Sequence, residues 1–144
     1  MHPRRKSRIG VIGALYAAAQ VSEKNEKILK DAFKRDKYDK GSKDFIRSLF
    51  EASISHTSEC DKLIEKQLKN WEFSRVALLD KLILRMSITE MLFIKEVPPK
   101  VAMSEAIEIA KEYSTDESSS FVNGILDAIY KQFILKKSKQ VKAD

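Results

Sequence analysis

The chain is patterned for helices along most of its length, because its apolar residues recur at intervals of three and four. This spacing predicts seven helical segments, at about 5–21, 23–37, 42–54, 60–68, 74–93, 99–113 and 114–133. The fifth segment is apolar around much of its circumference, which predicts a central position with neighbours on several sides. Pro98 and Pro99 end it, because proline removes a backbone donor and disfavours a helical conformation at the preceding residue.

Short polar side chains mark several of the predicted helix starts. Ser42 and Ser74 are candidate N-caps of the third and fifth helices, since a serine hydroxyl can accept a hydrogen bond from a free backbone N–H. Ser114, followed three residues later by Glu117, is a capping-box pattern for the seventh helix. Gly124 interrupts that helix without breaking its period, so we expect this glycine to allow close approach of another helix.

The composition supports an all-α fold. Of 144 residues only 4 are Gly and 3 are Pro, 43% are hydrophobic and 33% are charged, which favours helices over the many turns of a sandwich or barrel. We expect a single helical domain over 1–144, with a basic arm at 1–8 and a flexible, lysine-rich tail at 136–144. The single cysteine, Cys60, excludes an intrachain disulfide and suits a cytoplasmic location. Charged residues break the apolar stretch 76–93, so we expect no membrane association.

Positive charge is concentrated at the two ends of the chain. The formal net charge is +6, of which the arm contributes +4 and the tail +3, so the body between them is left at −1. Because the body is nearly neutral, this distribution predicts one place that binds a polyanion, not a surface that is cationic throughout.

The arm continues into the first predicted helix, which would give its guanidinium groups a defined position. Nucleic acid, an anionic membrane, an acidic protein and simple solubilisation all fit a short basic run. Arginine also stacks on unpaired bases, which favours single-stranded RNA among these targets. Tyr16 could add a stacking face, although its helical spacing favours a position in the core.

No pattern in the sequence indicates catalysis. His56 and Cys60 lie four residues apart, but two ligands are too few for a typical zinc site. We find no glycine-rich phosphate loop, no Ser/His/Asp constellation and no paired-cysteine motif. We therefore expect a binding protein that is not an enzyme and that uses neither a metal nor a cofactor.

Short sequence motifs in the chain identify related proteins more specifically than its apolar periodicity does. The basic run 4–8 leads to Leu15-Tyr16, and Val97-Pro98 is followed by Glu105-Ala106-Ile107 and by Val-Asn-Gly-Ile-Leu-Asp at 122–127. Through these strings nearly the whole chain resembles the NusB family of transcription antitermination factors. The resemblance implies an all-α fold of about seven helices in two small packed bundles, and it implies no catalysis.

The resemblance also implies partners. Members of the family pair with NusE, a ribosomal small-subunit protein that doubles as a transcription factor, and the pair binds the boxA element of nascent RNA. In the family this nucleates an antitermination complex on RNA polymerase, notably on ribosomal RNA operons. Whether this chain is a monomer or a homodimer is left open.

The functional positions of the family fall on particular residues here. The resemblance implies RNA contact by the basic arm, by the tyrosine that closes that motif and by a group in the seventh helix: Arg4, Arg5, Lys6, Arg8, Tyr16, Glu117, Ser118, Phe121 and Asn123. Asp80 falls at an acidic position that in the family faces the protein partner. Three serines at 118–120 replace a stretch that often has a basic side chain, so we expect weaker RNA contact near Phe121.

Two other functions fit the same residues. One is an RNA-binding module related to the N-terminal domain of ribosomal RNA methyltransferases, although 144 residues leave no room for a cofactor-binding domain. The other is a helical adaptor that binds a protein through its apolar surface, with an arm that serves only for solubility.

Overall fold

Over residues 2–69 and 71–136, the chain folds into seven α-helices joined by short connections. The computed structural model describes residues 2–69 and 71–136, and its helices are α1 (Pro3–Gln20), α2 (Asn25–Arg35), α3 (Lys40–Ser55), α4 (Thr57–Gln67), α5 (Leu78–Phe93), α6 (Pro99–Tyr113) and α7 (Asp116–Ile129). A 3-10 turn, Phe73–Arg75, precedes α5, and a π-helical turn, Tyr130–Leu135, follows α7. These described residues contain no β-strand, so the predicted all-α fold is confirmed. The predicted tail beyond residue 136 lies outside them.

The helices form two small groups that share one core. α1, α2 and α3 pack against one another, whereas α4, α6 and α7 pack on α5, which also contacts α1 and α3. Ten of the sixteen residues of α5 are buried, which confirms its predicted central position. A continuous apolar cluster runs through both groups, with Phe50, Ile83, Met86 and Leu126 fully buried. Over 2–69 and 71–136, no helix combines the length and hydrophobicity needed to cross a membrane.

Two helices begin at caps that differ from the predicted ones. In α3 the Asp39 carboxylate accepts from the backbone N–H of Ser42 at 2.7 Å, so Ser42 is inside the helix and is not its cap. In α7 the hydroxyl oxygen of Thr115 accepts from the backbone N–H of Ser118 at 3.0 Å, and Ser114 lies one residue before the cap. Asp39 and Thr115 both have the extended backbone that places a side-chain oxygen over the first helical turn.

α5 begins three residues later than a cap at Ser74 predicts. Ser74 lies within the 3-10 turn, and the helix starts at Leu78 after Ala77, whose side chain makes no capping hydrogen bond. The extended backbone of Val76 separates the turn from the helix.

Gly124 does not make the close helix contact predicted for it. It is exposed, and a Cβ atom added there would meet no atom within 4 Å. The glycine that does have a close neighbour is Gly10 of α1, where an added Cβ would lie 2.6 Å from the Tyr38 hydroxyl oxygen. The prediction failed because α7 turns Val122 and Leu126 inward and therefore turns Gly124 toward solvent.

Candidate nucleic-acid interface

The basic arm predicted at 1–8 forms the start of α1. Pro3 is the first helical residue, a position where its missing N–H costs little. His2 caps the helix, since its Nδ1 accepts a hydrogen bond from the backbone N–H of Arg4 at 3.2 Å. The helix therefore fixes the directions of the four cations, and each of them has a different environment.

Arg8 is buried, unlike the other three cations that were predicted to contact RNA. Its side chain is 3% exposed, and its guanidinium donates to both oxygens of Glu90, which is 1% exposed. The distance from Arg8 Nε to Glu90 Oε1 is 2.9 Å. The pair joins α1 to α5, and its charge is compensated inside the protein, where an unpaired guanidinium would be costly.

Arg5 is half-buried and pairs with Glu105 of α6 through two hydrogen bonds. Arg5 Nε donates to Glu105 Oε2 at 2.7 Å, and Arg5 Nη2 donates to Glu105 Oε1 at 3.2 Å. These hydrogen bonds raise the pKa of Arg5 and lower the pKa of Glu105. Because the pair is partly exposed, a phosphate group could compete with Glu105 for the same guanidinium.

Arg4 and Lys6 are exposed and keep their charges uncompensated. The guanidinium carbon of Arg4 lies 4.1 Å from the centre of the Phe45 ring, a contact that orients the cation without neutralising it. Lys6 Nζ donates to the backbone carbonyl oxygen of Lys37 at 2.8 Å. Neither cation pairs with a carboxylate in the part of the chain that the structure describes, so this part presents two uncompensated cations of the arm.

Tyr16 is 52% exposed, so the expectation of a core position is wrong. It follows Arg5 by eleven residues, which is close to three helical turns, so the two side chains leave α1 on nearly the same face. They are separated by about 17 Å along the helix axis at the usual rise per residue. This face of α1 therefore carries the Arg5 guanidinium near its start and an aromatic ring further along.

A second group of predicted residues meets at the other end of α5. Glu117, Ser118 and Phe121 of α7 line a cavity of about 290 Å³ together with Asp80 of α5. Asn123 is exposed but does not line this cavity, because residues two apart on a helix point in nearly opposite directions. The resemblance implies that Asp80 faces the protein partner, and the structure brings Asp80 together with residues predicted to contact RNA.

Asp80 is the buried polar group of this cavity, with 6% of its surface exposed. Its Oδ2 accepts from the Ser118 hydroxyl at 3.0 Å, and Ser118 accepts in turn from the Ser114 hydroxyl at 2.8 Å. Oδ1 is buried and finds no hydrogen-bond partner among the described residues. Burial raises the pKa of Asp80, against the opposing effect of the two serine hydroxyls. The unpaired oxygen retains acceptor capacity.

Trp71 and Arg75 also line the cavity and were not predicted as site residues. Trp71 is 62% exposed, an unusual degree for a tryptophan. The sequence carried a signal for it, because a tryptophan in a polar stretch between two helical segments has no apolar period that would place it in the core.

The two groups of residues are distinct patches. Arg8 of the α1 patch contacts α5 at Glu90, whereas Ser118 of the cavity contacts α5 at Asp80. Ten residues of helix correspond to about 15 Å. A ligand that touches both patches must therefore be long enough to span this separation.

His56 and Cys60 engage different neighbours. The His56 ring stacks on Phe93 with 3.7 Å between ring centres. Cys60 is buried with its Sγ 3.4 Å from the Thr89 hydroxyl oxygen, and burial raises the pKa of its thiol to about 11. Within residues 2–69 and 71–136, no three His, Cys, Asp or Glu side chains are grouped as metal ligands.

The fold and its two patches define an all-helical protein with a cationic first helix and an aromatic, acidic cavity beside its central helix. The NusB family model matches residues 5–131, which is most of the chain. The chain belongs to the NusB family.

Two NusB proteins from other organisms are similar to this chain over most of its length. The chain is 45% identical over 130 residues to the transcription antitermination protein NusB of Chloroherpeton thalassium. The matched stretch covers 90% of this chain and 62% of that relative. The chain is also 45% identical over 131 residues to the protein of the same name in Salinibacter ruber, with 90% of this chain and 81% of that relative covered. The chain thus spans less than two thirds of the length of the Chloroherpeton protein.

Solved structures show the same fold. A structure of T. maritima NusB is similar with a TM-score of 0.84 and 37% identity, over 97% of this chain and 99% of that one. A crystal structure of the antitermination factors NusB and NusE in complex with double-stranded RNA is similar with a TM-score of 0.82 and 25% identity. That similarity covers 92% of this chain and 99% of the neighbour.

Proposed function

We propose that this protein is an RNA-binding transcription antitermination factor. With NusE it binds boxA-type single-stranded RNA of nascent transcripts, notably of ribosomal RNA operons, within an antitermination complex on RNA polymerase. Family membership and the similar chain in the NusB–NusE–RNA structure support this proposal.

The observation that carries the proposal is the pair of uncompensated cations, Arg4 and Lys6, at the start of α1. They lie beside Arg5, whose partner Glu105 is a carboxylate that a phosphate can replace. Tyr16 offers an exposed ring on the same helix for stacking on an unpaired base. Cations for phosphate together with an aromatic face for bases are the usual means of binding single-stranded nucleic acid.

The same charges explain why a partner is needed. For a single strand, each neutralised phosphate contributes about −0.7 to the slope of log K against log salt. Two uncompensated cations therefore supply only a small electrostatic contribution, compared with the roughly six to ten contacts of a strong site. We infer that NusE adds further contacts to the RNA, so the pair binds RNA more tightly than either protein alone.

The test is a fluorescence anisotropy titration of boxA RNA with the full chain, with and without NusE, and with a scrambled RNA as control. We expect the affinity for boxA RNA to rise when NusE is added, and to rise less for the scrambled RNA. Equal affinities with and without NusE contradict the partnership. A helical adaptor with a solubilising arm would bind neither RNA.

A further inference from the structure

Segment 36–44 joins α2 to the first turn of α3 and lies against the cationic start of α1. Lys6 Nζ donates to the backbone carbonyl oxygen of Lys37 at 2.8 Å, and it lies 5.0 Å from the centre of the Tyr38 ring. The guanidinium carbon of Arg4 lies 4.1 Å from the centre of the Phe45 ring, directly after the segment. Both uncompensated cations of the arm therefore contact this part of the chain, and the surface around them continues onto it.

Three exposed lysines of segment 36–44 pair with no carboxylate in the part of the chain that the structure describes, and we call them the lysine patch: Lys37, Lys40 and Lys43. Lys43 Nζ lies 5.7 Å from the centre of the Phe33 ring. That ring contacts Tyr38 edge to face, with 6.2 Å between the ring centres. Like Arg4 and Lys6, Lys43 therefore lies over an aromatic ring, which orients a cation and leaves its charge available to another partner.

The carboxylates of the segment leave this surface positive. Arg4, Lys6 and the lysine patch supply five positive charges, against three aspartates in 36–44. Asp39 caps α3, since its Oδ1 accepts from a backbone N–H of the first turn at 2.7 Å. Asp36 and Asp44 are exposed and form no ion pair among residues 2–69 and 71–136. An anionic ligand over the lysines would therefore displace no internal ion pair.

We propose that single-stranded RNA bound at the start of α1 continues over segment 36–44, where the lysine patch contacts phosphates of nucleotides that flank boxA. The proposal rests on the RNA-binding function proposed above and adds a path for the flanking RNA to it. With Arg4 and Lys6 the patch gives this surface five uncompensated cations, which approaches the roughly six to ten phosphate contacts of a strong site.

Two arguments favour flanking RNA over an acidic protein as the occupant of the patch. Lysine binds phosphate as a point charge, without the fixed geometry of arginine, so the patch suits a backbone of any sequence. Flanking RNA is also covalently joined to boxA, so binding of boxA at α1 gives it a high effective concentration at the adjoining lysines. An acidic protein would have to be recruited separately.

The experiment compares three RNAs in anisotropy titrations with the full chain and NusE: boxA alone, boxA with twelve uridines added at its 5′ end, and boxA with twelve uridines added at its 3′ end. Because the patch lies to one side of the arm, we expect one of the two extensions to tighten binding at low salt by about tenfold. For that RNA the slope of log K against log salt should be steeper by about 2, which corresponds to three further phosphate contacts on a single strand.

Three variants locate the contact. Lys37→Ala with Lys40→Ala and Lys43→Ala should abolish the gain from the extension and leave the affinity for boxA alone within about twofold. Replacement of the same three lysines by arginine keeps the charge and should keep the gain. The matched control is Lys24→Ala with Lys30→Ala and Lys34→Ala, which removes three exposed lysines at the start of α2 and along it and should also keep the gain. All substituted side chains are exposed, and circular dichroism checks that the variants are folded.

The outcomes separate the path of the flanking RNA from the proposed function. If boxA binds but neither extension tightens binding, or if the alanine variant of the lysine patch keeps the gain, the path is wrong while RNA binding stands. If the α2 control loses the gain equally, general positive charge explains it and the patch is not a site. If boxA alone is not bound at low salt with NusE present, the proposed function fails and the path is overturned with it.

Discussion

Arg8 and Glu90 form a buried ion pair that joins the first helix to the central helix. The guanidinium is 3% exposed and the carboxylate 1% exposed, and they share three hydrogen bonds. The arginine-rich start of the chain therefore has two functions, since one of its arginines holds α1 against the core while its neighbours face solvent. The position of the exposed cations depends on this buried one.

We expect Arg8→Ala to lower the free energy of unfolding by about 3–5 kcal/mol, because it leaves the Glu90 carboxylate buried without a partner. Replacement of both residues by apolar ones, Arg8→Met with Glu90→Leu, should cost much less. Urea unfolding followed by circular dichroism measures both changes. Arg4→Ala, which removes an exposed cation one turn earlier in α1, is the control. A small loss for Arg8→Ala would contradict the structural role of the pair.

We expect Glu105→Gln to tighten RNA binding by about twofold to fivefold, because it removes the carboxylate that competes with phosphate for Arg5. The same change should lower stability near neutral pH by up to about 1 kcal/mol. Since the pKa of Glu105 is lowered in the folded state, its contribution is present above the unfolded pKa and is lost as pH falls through the folded pKa. The wild type and the variant should therefore have similar stability in acid. Weaker RNA binding by the variant would show that Glu105 does not compete with the RNA.

Asp80→Asn should raise stability near neutral pH, whereas Glu105→Gln should lower it. The pKa of Asp80 is raised by burial, so its ionisation costs stability as pH rises through the folded pKa. Arg75 and Glu117 line the same cavity and are the nearby charges. We expect the variant to be more stable than the wild type by about 1 kcal/mol near neutral pH, with the difference shrinking toward acid. Unfolding midpoints across this pH range measure it, and a variant that is less stable at neutral pH contradicts the cost assigned to the buried carboxylate.

Two glycine substitutions test the packing of the helices. Gly124→Ala should raise stability by about 0.5–1 kcal/mol, because glycine is a poor helix former and the added methyl meets no neighbour. Gly10→Ala should gain less or lose stability, since its methyl would meet the Tyr38 hydroxyl. Thermal unfolding of both variants gives the comparison. Equal gains would show that Tyr38 moves aside without cost.

The sequence predicted the helices well and the site only in part. Apolar periodicity placed all seven helices, because each buries a stripe whose spacing is visible in the chain. The same reasoning could not tell that Arg8 turns inward while Arg4 does not, since both are arginines in one basic run and the partner Glu90 is 82 residues away. The caps at Asp39 and Thr115 were missed because serine, threonine and aspartate can all cap a helix, and backbone angles decide among neighbours.

The cavity could not be predicted for a related reason. Trp71 and Asp80 precede Phe121 by some forty to fifty residues, and only the packing of α7 on α5 brings them together. Exposure of Tyr16 was also missed, because a tyrosine at helical spacing is equally compatible with a core position and with a surface position.

The central claim is that Arg4 and Lys6 contact RNA phosphate once NusE is bound, and the salt dependence of boxA RNA binding tests it most directly. We expect Arg4→Ala with Lys6→Ala to weaken binding and to make the slope of log K against log salt shallower by about 1.4, which corresponds to two lost phosphate contacts on a single strand. Lys30→Ala with Lys34→Ala removes the same charge from exposed positions on α2 and should leave the slope as in the wild type. An unchanged slope in the first variant, or an equal change in both, would contradict the claim.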